Sequence, residues 1–292
     1  MYVFDDRNHK FNQTLLKLLG LWPYGRTKFQ RLRAICFFVL LLSYVVVQLA
    51  QFAVADIDSD AVIRILSDAL PSTGYFIKFT LFFYNDETTK QMLKQITNNW
   101  RMLTDMREIK IAEYYARRGR HVTIFLTSSV MLGVFGFIVM EMMPDILDFA
   151  LPLNESRVRY LPPMNEYRGY QGAYFYPIFL YVNISIIIGG LTVASVGSML
   201  IVIVLHCCAI LKISSYRMEH SVSEEIIARP DREHLIIERI IKSVKLHQNA
   251  QNLIEMLMSR LSVFFLTLLT LGIISLSINL FRVSTNLFSR NF

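Results

Sequence analysis

Charge is scarce in this chain. Asp, Glu, Lys and Arg make up only 18% of its 292 residues, below the roughly 25% usual for soluble domains. Hydrophobic residues are 53% and mean hydropathy is +0.39. Several apolar runs reach the ~20 residues that cross a hydrocarbon core. A soluble core is therefore excluded, and the lipid bilayer is the solvent. Cysteine is scarce too. Cys36, Cys207 and Cys208 are odd in number and lie in or beside apolar runs, which excludes a secreted disulfide scaffold. His206 precedes Cys207 and Cys208 without a second ligand cluster, so the triplet reads as a helix end. No metal and no cofactor is expected.

Catalytic motifs are missing as well. There is no glycine-rich phosphate loop, no HExxH, no nucleophile elbow and no pair of intramembrane carboxylates placed as a proton relay. An enzyme is not expected. The net charge of +7 does not point to nucleic acid, because in a membrane protein the placement of basic residues matters more than their sum. The first apolar run starts near Ala34, after a lead with seven Lys and Arg, and is longer than a signal-peptide core.

What is present is a series of spans. Residues 1–33 read as a cytosolic lead. Within it, Phe11 to Leu21 has the pattern of an interfacial amphipathic helix, ended by Pro23-Tyr24-Gly25. Span 1 covers about Ala34–Ala55. Span 2, about Ala61–Tyr84, carries Arg64, Asp68 and Lys78, with Pro71 inside it. Arg64 and Asp68 share a helix face at four-residue spacing, so Asp68 is either half of a structural pair or a functional group. Residues 85–120 are polar with helical periodicity. Span 3 covers about His121–Met143 and ends at Pro144, with Glu141 at its outer, watered end. An outer loop, 144–173, follows and contains the glycosylation triplet Asn154-Glu155-Ser156.

The 43 positions from Gly169 to Leu211 carry no charge. They form the central span, with Gly190, Ala194 and Ser198 as a small-residue stripe that suits ordinary close packing. Residues 206–258 form a cytosolic helical segment, restarted after Arg229-Pro230-Asp231. It runs into span 5 at 259–281, and 282–292 is a short outer tail. The fold class is thus all-α, a polytopic transmembrane helix bundle of five spans, with spans 1 to 4 in 34–205 and helices extended into the cytosol.

Basic residues set the orientation. The lead has seven Lys and Arg, residues 85–120 eight and 212–258 seven; the first loop has none, 144–173 three and the tail two. The amino terminus is expected in the cytosol and the carboxyl terminus outside, which also places Asn154 outside. That is the inverse of a G-protein-coupled receptor, so no G protein is expected. A pocket between such helices would be mostly apolar and aromatic. Ser72, Thr73, Tyr75 and Phe76 in span 2, Met131 and Phe135 in span 3, and Tyr181 and Ile184 in span 4 suit it. Core packing is the competing reading for each, and the commoner one for such residues.

Two stretches carry a family resemblance. Leu15-Leu16-Lys17-Leu18-Leu19-Gly20-Leu21-Trp22-Pro23 resembles the opening of insect odorant receptors. Lys245-Leu246-His247-Gln248-Asn249-Ala250 is similar to that family's stretch before the fifth span. The resemblance implies a plasma-membrane receptor in the dendrite or cilium of a sensory neuron. It implies a subunit that binds a small apolar odorant and gates a cation channel with a co-receptor in a heterotetramer. It also implies seven spans, so spans 6 and 7, the pore-lining helix among them, are missing here. As written, the chain is expected to be truncated and not to form a working channel alone. A related gustatory receptor and a five-span transporter or membrane scaffold are the alternatives.

Overall fold

The structure, a computed structural model, describes residues 9–25, 27–54, 58–151, 157, 161, 168–222 and 232–290. Among these residues there is no strand. Seven α-helices follow in order: α1 Lys10–Leu19, α2 Lys28–Ala50, α3 Ser59–Tyr84, α4 Asp86–Arg101, α5 Met106–Ala150, α6 Arg168–Glu219 and α7 Arg232–Arg290. A 3₁₀ turn, Gln51–Ala53, extends α2.

Among the described residues, four stretches are long and apolar enough to cross a membrane: Lys28–Ala53, Met106–Ala150, Tyr174–Glu219 and Ser262–Thr285. The chain is a membrane protein. Its remaining long helix, α3, has the length at 26 residues but carries Asp60, Arg64, Asp68 and Lys78. At 45, 52 and 59 residues, α5, α6 and α7 exceed the ~20 that a crossing needs, so each continues beyond its span.

Local chemistry explains the boundaries. Gly20 has φ 74, a left-handed conformation open to glycine. Its N–H and that of Leu21 close the last turn of α1 onto the carbonyls of Leu16 and Lys17. The helix thus ends at Gly20, ahead of the expected stop at Pro23-Tyr24-Gly25. Helix α2 starts with a capping box: Thr27 Oγ1 accepts from the Gln30 N–H at 3.2 Å, and Gln30 Oε1 accepts from the Thr27 N–H at 3.3 Å.

One proline behaves differently from the sequence expectation. Pro144 does not end α5, which continues to Ala150. A proline removes one backbone donor and crowds the preceding turn, which bends a helix without having to stop it. The charge-free stretch is broken at Tyr174, whose φ of −116° and ψ of 22° are non-helical, three residues before Pro177. Helix α7 runs without interruption from the polar segment through the last span and on through 282–290.

The chain divides into two compact units. The first comprises Met1–Gly25, Asn85–Leu126 and Ser195–Ser262. Its core joins Leu103, Ala112, Ile210, Ile213, Leu246 and Ala250, with Trp100 packed against them. Leu246 and Ala250 belong to the Lys245–Ala250 stretch, so that motif is a packing motif. Reciprocal hydrogen bonds tie α6 to α7: Ser214 Oγ donates to the Ser243 carbonyl at 2.9 Å and Ser243 Oγ to the Ser214 carbonyl at 2.7 Å. Gln95 on α4 donates to the Asn249 carbonyl at 2.8 Å. Helix α1 also belongs here. Leu16 and Leu19 are fully buried, and Asn12 donates to Ser198 Oγ at 3.2 Å. The apolar face that the sequence offers to a membrane surface is taken by protein.

The second unit comprises Arg26–Tyr84, Thr127–Ala194 and Val263–Phe292. Tyr44, Phe175 and Val182 form part of its core, and Phe38 packs on Phe76 at 5.2 Å and on Phe83 at 5.5 Å. The small residues of α6 allow its tightest packing. A Cβ on Gly189 would collide with the Tyr75 ring, and one on Gly190 would sit 2.9 Å from Val134 Cγ2. Such approach is what glycine permits between helices in lipid.

Candidate functional site

Within the second unit lies a cavity of about 450 Å³. Helix α2 contributes Tyr44 and Gln48, and α3 contributes Ser67, Asp68, Ser72 and Tyr75. Val134 and Phe137 come from α5, Ile186 and Gly190 from α6, and Asn279 from α7. The walls are mainly apolar and aromatic, with a few polar groups gathered on α2, α3 and α7. A small-molecule site has this composition.

Of the residues proposed from sequence, Ser72 and Tyr75 line this cavity. Thr73 donates back to the Ala69 carbonyl at 2.8 Å within α3. Phe76 packs on Phe38. Met131 lies beside Gly190. Tyr181 shares a 2.9 Å hydrogen bond with Ser43 and packs edge-on against Tyr44. Phe135 and Ile184 are 63% and 39% exposed, turned away from the bundle. Asn154 lies outside the described residues.

Tyr44, Gln48, Ser67 and Asn279 were not singled out from sequence. Gln48 and Asn279 had a visible signal, as lone amides inside the apolar runs Val45-Val46-Val47-Gln48-Leu49 and Ile278-Asn279-Leu280. A polar side chain at membrane depth is costly and so marks function or a buried pair. Helix periodicity alone could not say which neighbour each would face.

The polar wall is partly wired. Ser67 Oγ donates to Asn279 Oδ1 at 2.6 Å and accepts from Arg282 at 3.3 Å. Asn279 Nδ2 donates to the Ser275 carbonyl at 2.8 Å, and Ser72 Oγ to the Asp68 carbonyl at 2.9 Å. The cation whose charge acts on Asp68 is Arg282, on α7. Long-range packing thus brings to Asp68 a charge that four-residue spacing could not reveal. Glu141 also departs from expectation. It is 5% exposed, and Asn183 Nδ2 donates to its Oε2 at 2.8 Å. A helix crosses it where water was expected.

The first unit holds a polar cleft of about 630 Å³. Along it, Arg217 grips Glu108 with two bonds, Nε to Oε1 at 2.5 Å and an η-nitrogen to Oε2 at 2.7 Å. A hydrogen bond and the charge of Lys242 hold the nearby Glu238 carboxyl below its usual range.

The family model for the 7tm Odorant receptor matches residues 60–290. The chain belongs to that family. The match decides for an odorant receptor over the gustatory and transporter alternatives. The fold is similar to that of the insect olfactory receptor OR5 from Machilis hrabei, with a TM-score of 0.65 at 14% identity, covering 95% of this chain and 71% of that one. The same receptor in complex with eugenol gives a TM-score of 0.62 at 13% identity, covering 92% and 68%. No curated protein matches this odorant receptor chain.

Proposed function

We propose that this odorant receptor is a ligand-binding subunit whose cavity on α2, α3, α5, α6 and α7 takes a small, mainly apolar volatile. With a co-receptor subunit, ligand binding there gates a cation channel in the plasma membrane of a sensory neuron. The observation that carries the reading is the cavity: apolar walls, a few convergent polar groups and a size suited to one small molecule. The eugenol complex of the Machilis hrabei receptor supports a small-molecule ligand. The alternation of basic and basic-poor segments supports a cytosolic amino terminus.

Tyr75 is the residue through which packing and pocket meet, since its ring lines the cavity and lies against Gly189. Titrated in lipid nanodiscs against a panel of volatile odorants, the purified chain should bind small apolar ligands. Tyr75→Ala should raise the dissociation constants of the ligands that bind by about tenfold, as the loss of one aromatic wall contact implies. Binding of none of the panel by the folded chain sinks the reading.

A further inference from the structure

Among the described residues that line the cavity, only Asp68 is charged at neutral pH. The amides and hydroxyls around it, on Gln48, Asn279, Tyr44 and Tyr75, offer donors and acceptors alike. They suit neutral ligands of many kinds and choose little between them. A carboxylate differs from them by its charge.

Asp68 is half-buried. Its carboxylate receives no hydrogen bond and forms no ion pair within the described residues; Ser72 Oγ donates to its backbone carbonyl instead. Arg282 acts on Asp68 by charge, but its guanidinium donates to Ser67 Oγ at 3.3 Å. The charge is offset from a distance, and the carboxylate oxygens are left without a donor. Aromatic groups stand close by. Tyr75 follows Asp68 two turns along the same face of α3, and Tyr44 of α2 lines the same space. Asp68, Glu141 and Tyr75 all bear electrostatically on the Tyr44 hydroxyl. Two carboxyl groups and two phenol rings are thus neighbours, against one guanidinium.

A carboxylate held out of water without a donor is costly. A cation that reaches it gains a charge-assisted bond in a medium of low dielectric. A tyrosine face attracts the same cation. An alkylamine is protonated at neutral pH, as the lysine side chain is, and so brings the charge and N–H donors together. An alcohol brings the donor without the charge.

We propose that the cavity binds volatile primary amines, as ammonium ions, in preference to alcohols, ethers and hydrocarbons of the same shape, with Asp68 as the ionic anchor and the Tyr44 and Tyr75 rings beside the ammonium group. This rests on the reading of the cavity as the odorant site. It goes beyond that reading by naming the functional group and the charge recognised.

The test measures binding. The purified full chain in nanodiscs of zwitterionic lipid is titrated at pH 7 by saturation-transfer NMR with hexylamine, 1-hexanol and hexyl methyl ether, with empty discs as the reference. Hexylamine should bind about tenfold tighter than 1-hexanol, the margin of a charged over a neutral hydrogen bond. Asp68→Asn, which keeps the shape and removes the charge, should bring hexylamine to within about twofold of 1-hexanol and leave 1-hexanol binding as it was. The wild-type comparison stands by itself should that variant fail to fold. Equal affinity for hexylamine and 1-hexanol in the wild type overturns amine selection and leaves the odorant-site reading intact. An amine preference that survives Asp68→Asn overturns the assignment to Asp68. Binding of no probe by the folded chain overturns the odorant-site reading and this proposal with it.

Discussion

The Glu108–Arg217 pair shows how a single interaction gains weight from burial. Side-chain exposure is 6% for Glu108 and 19% for Arg217, and two charge-assisted bonds join planar groups. Removing one partner leaves the other charge buried without compensation, which costs about 3 kcal/mol or more. Glu108→Ala should therefore lower the melting temperature of the detergent-solubilised protein clearly. Glu108→Ala with Arg217→Met should recover part of the loss, because no lone charge remains. If the single and double variants melt alike, the pair is a surface contact in effect. The exposed pair Glu238–Lys242, four apart on α7, is the contrast: solvent screens it, and its removal should leave stability unchanged within error.

Helix α1 was visible as an amphipathic pattern, but the partner of its apolar face was not. Periodicity shows that a stripe must be covered; it does not say whether lipid or protein covers it. Leu16 and Leu19 at 0% exposure answer for protein. Leu16→Ala should cost about 2–5 kcal/mol of local packing, read as faster hydrogen exchange and earlier proteolysis within residues 9–25, with the transmembrane helices still protected. Unchanged exchange in that segment would return the helix to the membrane surface. The long helices teach a related lesson. Charge-free length announced α6, yet the break at Tyr174 and the passage of α5 through Pro144 depend on how neighbouring turns and helices accommodate them, which composition does not record.

For the molecule as a whole, orientation is the property on which function hangs. The basic-rich segments alternate along the chain with basic-poor ones, which puts the rich ones on one side of the spans, and the glycosylation triplet at Asn154 is expected on the outer side. On expression in insect cells, treatment with a glycosidase that removes N-linked sugar should increase electrophoretic mobility, and Asn154→Gln should abolish the shift. The triplets at Asn12 and Asn183 should carry no sugar. Both residues are buried, with Asn12 bonded to Ser198 and Asn183 to Glu141. A shift that persists in Asn154→Gln would invert the orientation proposed here.

The candidate site divides along the same line. Ser72 and Tyr75 were legible because they sit together on one face of the helix that the sequence marks as span 2. Gln48 and Asn279 come from helices more than two hundred residues apart in sequence, about the ends of the chain, and no local pattern links them. The sequence by itself determined that the chain lies in a membrane, that it is helical, roughly where each span falls and which family it resembles. Those follow from hydropathy over about 20 residues, from backbone satisfaction in lipid and from where lysine and arginine collect. Only the tertiary structure decided which faces meet: that Arg282 comes near enough for its charge to act on Asp68, that Glu141 is covered, and that Gln48, Ser72 and Asp68 wall one cavity. Lipid is as apolar as a leucine face, so hydrophobicity fixes a helix in the bilayer without choosing its neighbours. That choice rests on close packing at small residues and on the pairing of a few buried polar groups.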